Sequence, residues 1–114
     1  MLRGEVYQTR LDPVEGSEPG GTRPVIVMSR NSINVSSSVI IAVPCTTYRR
    51  QRIYPSQVLV RTPEGGLTAD SLVKTDQISA LSKTRLIQRL GMVTPDTLTA
   101  IENAILKALD IQRP

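Results

Sequence analysis

Arg23 stands where a glycine-rich loop meets an apolar strand, within the run "GSEPGGTRPVIVMS" at residues 16–29. A permanent positive charge at such a seam reads in two ways. It is a strand-end charge reaching solvent, or the loop and strand together hold a guanidinium over something anionic. Pro24 favours a fixed placement, because the residue before a proline is held in an extended conformation. A second basic feature, "YRRQR" at 48–52, puts three arginines into five residues between two apolar segments. It is either a solvated loop or a set of phosphate contacts. The chain lacks histidine altogether, so the usual neutral-pH general base and the commonest metal ligand are missing. One cysteine and ten scattered carboxylates give no zinc signature. "GSEPGG" and "PEGGL" lack the spacing and the lysine of a Walker-type phosphate loop.

The elements that must position these residues follow from pattern. "GEVYQTRL" (4–11) reads as a first strand, and "DPVEGSEPGGTR" (12–23) as a long loop of the kind that often carries function. "PVIVMS" (24–29) and "VIIAVPCT" (39–46) are continuous apolar runs, hence central strands, with "RNSINVSSS" a turn or short helix between them. Pro44 lacks a donor and marks a bulge or the end of pairing. "SQVLVRT" is a further strand turned by "PEGG", "SLVKTDQISAL" (71–81) another, and "RLIQRLGMV" (85–93) the last. The chain closes with a helix: Thr94 is its N-cap, Pro95 suits the first helical position, and Asp96 complements the dipole. Its apolar stripe of Leu98, Ile101, Ile105, Ala108 and Leu109 is core or oligomer contact. Short strands joined by turns, plus one terminal helix, predict an α+β domain on a small, strongly curved sheet or partly open barrel.

The whole chain sets wider bounds. At 114 residues it is expected to form one domain, with the composition of an ordinary soluble globule. The longest apolar run, "VIIAVPC", is far too short to span a membrane, and "MLRGEVYQTR" has no apolar signal core. A single cysteine allows no internal disulfide, which fits a reducing cytosol. The net charge of +4 favours polyanions such as nucleic acid.

Five segments, in order and spacing, resemble the MazF/PemK family of toxin ribonucleases from type II toxin–antitoxin systems. They are "RGEVY" (3–7), "DPVEGSEPGGTRPVIVMS" (12–29), "VPCTT" (43–47), "YPSQV" (54–58) and "KTDQISAL" (74–81). The resemblance runs from about residue 3 to 111 and implies an SH3-like, plasmid-maintenance-toxin barrel with a C-terminal α-helix. It further implies a cytoplasmic homodimer that cleaves single-stranded RNA sequence-selectively without a metal or other cofactor, neutralised by an acidic antitoxin. By the same resemblance Arg23 and Thr46 are the catalytic positions, Ser17 and Glu18 line the RNA groove, and Gln77 lies near the bound bases. Thr47 and the loop arginines Arg49, Arg50 and Arg52 complete the candidate RNA contacts.

Metal-free ribonucleases commonly use the RNA's own 2′-hydroxyl as nucleophile. The reaction must then remove the 2′ proton, stabilise charge on the phosphorane oxygens and protonate the leaving 5′ oxygen. The planar fork of Arg23 suits the second task. Such stabilisation is worth about 3–4 kcal/mol, or roughly 10²–10³ in rate. Thr46 can donate and accept a hydrogen bond, so it could orient the phosphate or relay a proton. Glu18 is the nearest loop carboxylate, and the general base and acid stay unassigned. Read alone, Thr46 and Thr47 are β-branched strand formers, Ser17, Glu18 and Gln77 are ordinary polar residues, and Asp76 is structural. Cys45 reads as a small buried residue, since no imidazole exists to activate it.

Two rivals belong to other classes. A gyrase-poisoning toxin of the CcdB type shares the barrel and helix, but acts through a tryptophan-containing tail, whereas this chain has no tryptophan and ends "DIQRP". A non-catalytic RNA-binding module would need stacking platforms, and the only aromatics are three tyrosines.

Overall fold

The computed structural model describes residues 1–12, 16 and 20–112, so the candidates Ser17 and Glu18 lie outside the described residues. Seven strands and two helices follow in the order β1 (Glu5–Arg10), β2 (Thr22–Val27), α1 (Asn31–Ser36), β3 (Val39–Thr47), β4 (Gln57–Val60), β5 (Ser71–Lys74), β6 (Ser79–Ser82), β7 (Leu86–Met92) and α2 (Pro95–Ala108). The strands form one antiparallel sheet in the order β4-β5-β3-β2-β1-β7, with β6 also paired to β3. The sheet is not closed, and β4 and β7 remain its two ends. This is the curved, partly open α+β arrangement with a C-terminal helix that the strand pattern predicts.

The nine-residue β3 is the axis of the fold. Ala42–Pro44 pair with Val25–Val27 of β2 on one edge. On the other edge β3 pairs first with β6, through Val39–Ala42, and then with β5, through Cys45–Thr47. The changeover falls at Val43 and Pro44. A proline without a donor fits where one ladder has stopped and the next has not begun. The ladder to β2 also ends there, at Val25↔Pro44.

The β2 run is buried on two faces, and so is β3 from Ala42 to Cys45, whereas Val39 and Ile41 at its start are exposed on one face. Ile26, Met28, Val43 and Cys45 enter one core cluster with Val6, Val60, Leu67, Val73, Val93 and Ile101. Val25, Val27, Ile40 and Ala42 form a second cluster on the other side of the sheet. Helix α2 covers the first cluster. The Thr94 side chain caps it by accepting from the Thr97 amide, with Pro95 at its start and Asp96 in its first turn. Its buried positions are Ile101 and Ala104, with Leu98 and Ile105 partly covered. Burying a side chain such as Ile101 contributes about 1.5–3 kcal/mol. Within one chain the core part of the stripe ends before Ala108 and Leu109, which are exposed.

A second departure concerns residues 71–81. They form two short strands, not one, separated by a 3-10 turn at Thr75–Gln77. Buried Thr75 fixes the corner, its hydroxyl reaching the carbonyls of Ser56 at 2.5 Å and Ala104 at 3.3 Å. The turn lets β5 and β6 address different stretches of β3. Gly66 shows how tightly another turn is packed: its φ is +74°, and a Cβ built there would lie 2.0 Å from the Leu90 carbonyl oxygen.

Candidate active site

The register of β2 and β3 places Arg23 across from Thr46, two steps beyond their last ladder pair at Val25↔Pro44. There the β2–β3 ladder has ended, and each strand is held only on its other edge, Thr46 by Leu72 of β5 and Arg23 by Thr9 of β1. A cleft of about 160 Å³ fills the opening. Its walls come from Thr22–Pro24, Cys45–Thr47, Gln8 of β1, Leu67–Ala69 and Ser71 at the start of β5.

Across this cleft Arg23 and Thr46 meet. The Arg23 Nη1 donates to Thr46 Oγ1 at 3.3 Å, and its Nε donates to the Gly20 carbonyl at 2.9 Å. Both side chains are half-buried. Two fixed acceptors thus orient the guanidinium, and among the described residues no carboxylate neutralises it. Its remaining N–H groups are available to an anion. Because Thr46 Oγ1 already accepts from Arg23, its own hydrogen is left to donate to the same anion. The charge at the seam is therefore an oriented one, not a strand-end charge reaching freely into solvent.

The base of the loop before Arg23 is pinned by backbone and side chains together. Leu11 N donates to Gly21 O at 2.8 Å, and Gly21 N donates to Asp12 Oδ1 at 3.0 Å. Arg85 Nη1 donates to the carbonyls of Arg10 at 3.2 Å and Asp12 at 2.6 Å. This chain of contacts runs from Arg85 through Asp12 and Gly21 to Gly20, whose carbonyl holds Arg23. Arg85 and Asp12 are positioning residues that sequence reasoning missed. The signal for Asp12 was local, an Asx-type contact at a loop start, whereas that of Arg85 is visible only in the fold.

Cys45 lies in the cleft wall but is buried at 1% exposure, and burial pushes its thiol up to about 12. A thiol so placed is not a nucleophile at neutral pH. Thr47 lines the cleft from an exposed position facing Ser71. Arg49, Arg50 and Arg52 are exposed on the β3–β4 loop and do not line it. The loop is nevertheless ordered at its base, where Tyr48 N donates to the Asp70 carbonyl at 2.8 Å, and the Arg52 guanidinium sits 4.8 Å from the centre of the Tyr54 ring. Gln77 is half-buried on the turn that follows β5, at the far end of that strand from Ser71, and the structure does not bring it into the cleft. Among the described residues no Asp or Glu lines the cleft, and none form a group of three or more ligands suited to a metal.

The model of the family described as the PemK-like, MazF-like toxin of type II toxin–antitoxin systems matches residues 2–109. The chain belongs to the PemK/MazF toxin family. Among similar curated proteins, endoribonuclease MazF9 of Mycobacterium tuberculosis is 34% identical over 97% of this chain and 98% of its own. Endoribonuclease MazF of Staphylococcus saprophyticus is 33% identical over 92% and 88%. A solved mycobacterial endoribonuclease in complex with its cognate antitoxin superposes with a TM-score of 0.82 at 32% identity, over 100% of this chain and 99% of that one. MazF of Deinococcus radiodurans gives the same TM-score of 0.82 at 24% identity, over 96% of both chains, and so speaks for the fold. These PemK/MazF matches support neither the gyrase poison nor the non-catalytic module.

Proposed function

We propose that this chain is the toxin of a type II toxin–antitoxin pair and an endoribonuclease that cleaves single-stranded RNA by attack of the RNA's own 2′-hydroxyl. The reading rests on one observation, the Arg23–Thr46 contact across the cleft between β2 and β3. In the reaction the 2′ oxygen bonds to phosphorus while the bond from phosphorus to the 5′ oxygen breaks. The 2′ proton is lost and the 5′ oxygen gains one, leaving a 2′,3′-cyclic phosphate and a 5′-hydroxyl. Arg23 clamps non-bridging phosphate oxygens as charge builds on them, and the Thr46 hydroxyl donates a further hydrogen bond. Glu18, outside the described residues, is the loop carboxylate nearest to Arg23 in sequence, and the proton carriers stay unassigned.

The lack of histidine, and among the described residues of clustered ligands, favours a metal-independent reaction. Incubating purified chain with a single-stranded RNA in EDTA and typing the released ends tests this directly. Cyclic phosphate and 5′-hydroxyl ends are expected, and 5′-phosphate ends or an absolute metal requirement would overturn the mechanism.

Like the mycobacterial relative solved with its antitoxin, this chain is held in check by a cognate partner. An acidic segment lying over Arg23 and the loop arginines would compete with RNA. Self-association has its own surface: Val39 and Ile41 are exposed on β3, beside an apolar groove that Met28, Ile78, Ile105 and Leu106 also line. A homodimer burying that face is expected to sediment at twice the chain mass, and to revert towards monomer on Ile41→Glu. No helix among the described residues is long and apolar enough to cross a membrane. The cytoplasm, where the RNA substrate is, is the proposed place of action.

A further inference from the structure

On β1 the side chains of Val6 and Gln8 share one face of the sheet, since alternate residues do. Val6 is fully buried in the cluster that contains Ile26, Cys45 and Leu67. Cys45 and Leu67 also line the cleft, and so does Gln8. Gln8 therefore continues a core row at the point where the core opens to the Arg23–Thr46 cleft. An apolar side chain would close that row, yet a carboxamide stands there. It is half-buried, and among the described residues its amide makes no hydrogen bond. Its donors and acceptor, open to water at the mouth of the cleft, are free to meet a ligand there.

The backbone around Gln8 is also shaped. Its partner on β2 is Pro24, beside Arg23. On its other edge, β1 meets β7 with register shifts on either side of Tyr7–Gln8, so that Leu90 and Ile87 are extra residues on β7. Paired bulges bend and twist a sheet, and they re-aim side chains next to binding sites. Here they bracket the one residue of β1 that lines the cleft.

We propose that Gln8 is a specificity-determining residue, whose carboxamide pairs with the edge of a nucleobase next to the phosphate held by Arg23. The proposal rests on the reading of the cleft as the RNA-cleavage site. A glutamine amide offers a donor and an acceptor side by side, and so discriminates among bases that present the complementary pair. On this reading Arg23 and Thr46 are committed to the phosphate, which is alike in every nucleotide, so base choice falls to another residue.

The test is to sequence the 5′ ends released from a randomised single-stranded RNA pool by the wild-type chain, Gln8→Leu and Gln8→Glu, each checked for a native unfolding transition. Gln8→Leu removes the pairing, while Gln8→Glu reverses its donor. The expected result is an altered base preference at one position of the cleavage motif, by about tenfold in relative rate, and different in the two variants. Profiles that superimpose on the wild type in both variants, whatever the total rate, overturn the role of Gln8. A wild-type chain that releases no 5′ ends overturns the underlying ribonuclease reading instead, so the two failures are distinguishable.

Discussion

Arg23 Nη1 reaches Thr46 Oγ1 at 3.3 Å across a gap where the two strands carrying them no longer pair. The contact belongs to no ladder, so its geometry is set by side chains: one guanidinium, one hydroxyl and the Gly20 carbonyl behind them. Removing the guanidinium should cost far more activity than stability. Arg23→Ala is expected to lower cleavage by about 10²–10³ or more while the unfolding midpoint moves little. Arg23→Lys should rescue only part, because an ammonium cannot clamp two oxygens. A folded Arg23→Ala protein that cleaves normally would remove Arg23 from the mechanism. Thr46→Ser should stay within about tenfold of wild type and Thr46→Val should not, as the hydroxyl carries the role.

Arg85 makes a prediction of a different shape. It touches the loop base and not the cleft, so Arg85→Ala should lower kcat by about tenfold, in line with loss of a hydrogen bond to a charged group, with KM for RNA changed less. Arg85→Lys, which can still reach one carbonyl, should recover part of kcat. Single-turnover kinetics separate the two parameters. An equal effect on KM alone would make Arg85 an RNA contact rather than a support.

Cys45 is predicted to be chemically quiet. With its thiol raised to about 12 by burial, native protein at pH 8 should resist alkylation, and unfolded protein should react fully. Cys45→Ala should keep cleavage within a few-fold at a cost of about 1 kcal/mol in stability. Loss of activity on alkylation of the native chain would contradict this.

The Glu5–Arg89 ion pair should leave its mark on acid stability. Burial raises the Glu5 carboxyl, but the Arg89 contact, the Leu2 amide and nearby positive charge outweigh it and hold the group below its usual 4.5. A carboxylate with a lowered folded value stabilises the protein above the unfolded value, and that contribution is lost as pH falls through the folded one. Wild type should therefore unfold at a higher temperature than Glu5→Gln near neutrality, by about 1 kcal/mol in stability. The gap should close below pH 4.5. A gap that persisted into stronger acid would mean that Glu5 acts by packing alone.

Gly66→Ala is expected to destabilise by about 3 kcal/mol or more, measured by denaturant unfolding. The new Cβ would meet the Leu90 carbonyl oxygen, and the positive φ would be strained as well. A neutral substitution would show that this turn can move off β7.

What could be read from the chain was whatever its neighbours in sequence decide. "VIVM" and "VIIAVPC" were legible as central strands because continuous apolar runs suit strands with a neighbour on each edge, although Val39 and Ile41 are exposed on one face. The α2 start was legible because Thr94, Pro95 and Asp96 are local signals. Residues 71–81 were not, since the break at Thr75 comes from carbonyls of Ser56 and Ala104, distant in sequence. The same holds for Gln8 and Arg85, polar residues in strand-like patterns whose meaning depends on which elements they face. Arg49, Arg50 and Arg52 announced themselves by density, yet lie outside the cleft within one chain. Charge clustering marks a surface and not a site.

The end of the β2–β3 ladder at Val25↔Pro44 carries a last consequence. A sheet normally excludes ligands by satisfying its own polar groups, and here one seam has been left unsewn. The opening is bordered by strands anchored on both sides, so it needs no lid to assemble it and little freedom to keep it open. On the proposed reading, RNA enters a gap that the strand ladders themselves leave open.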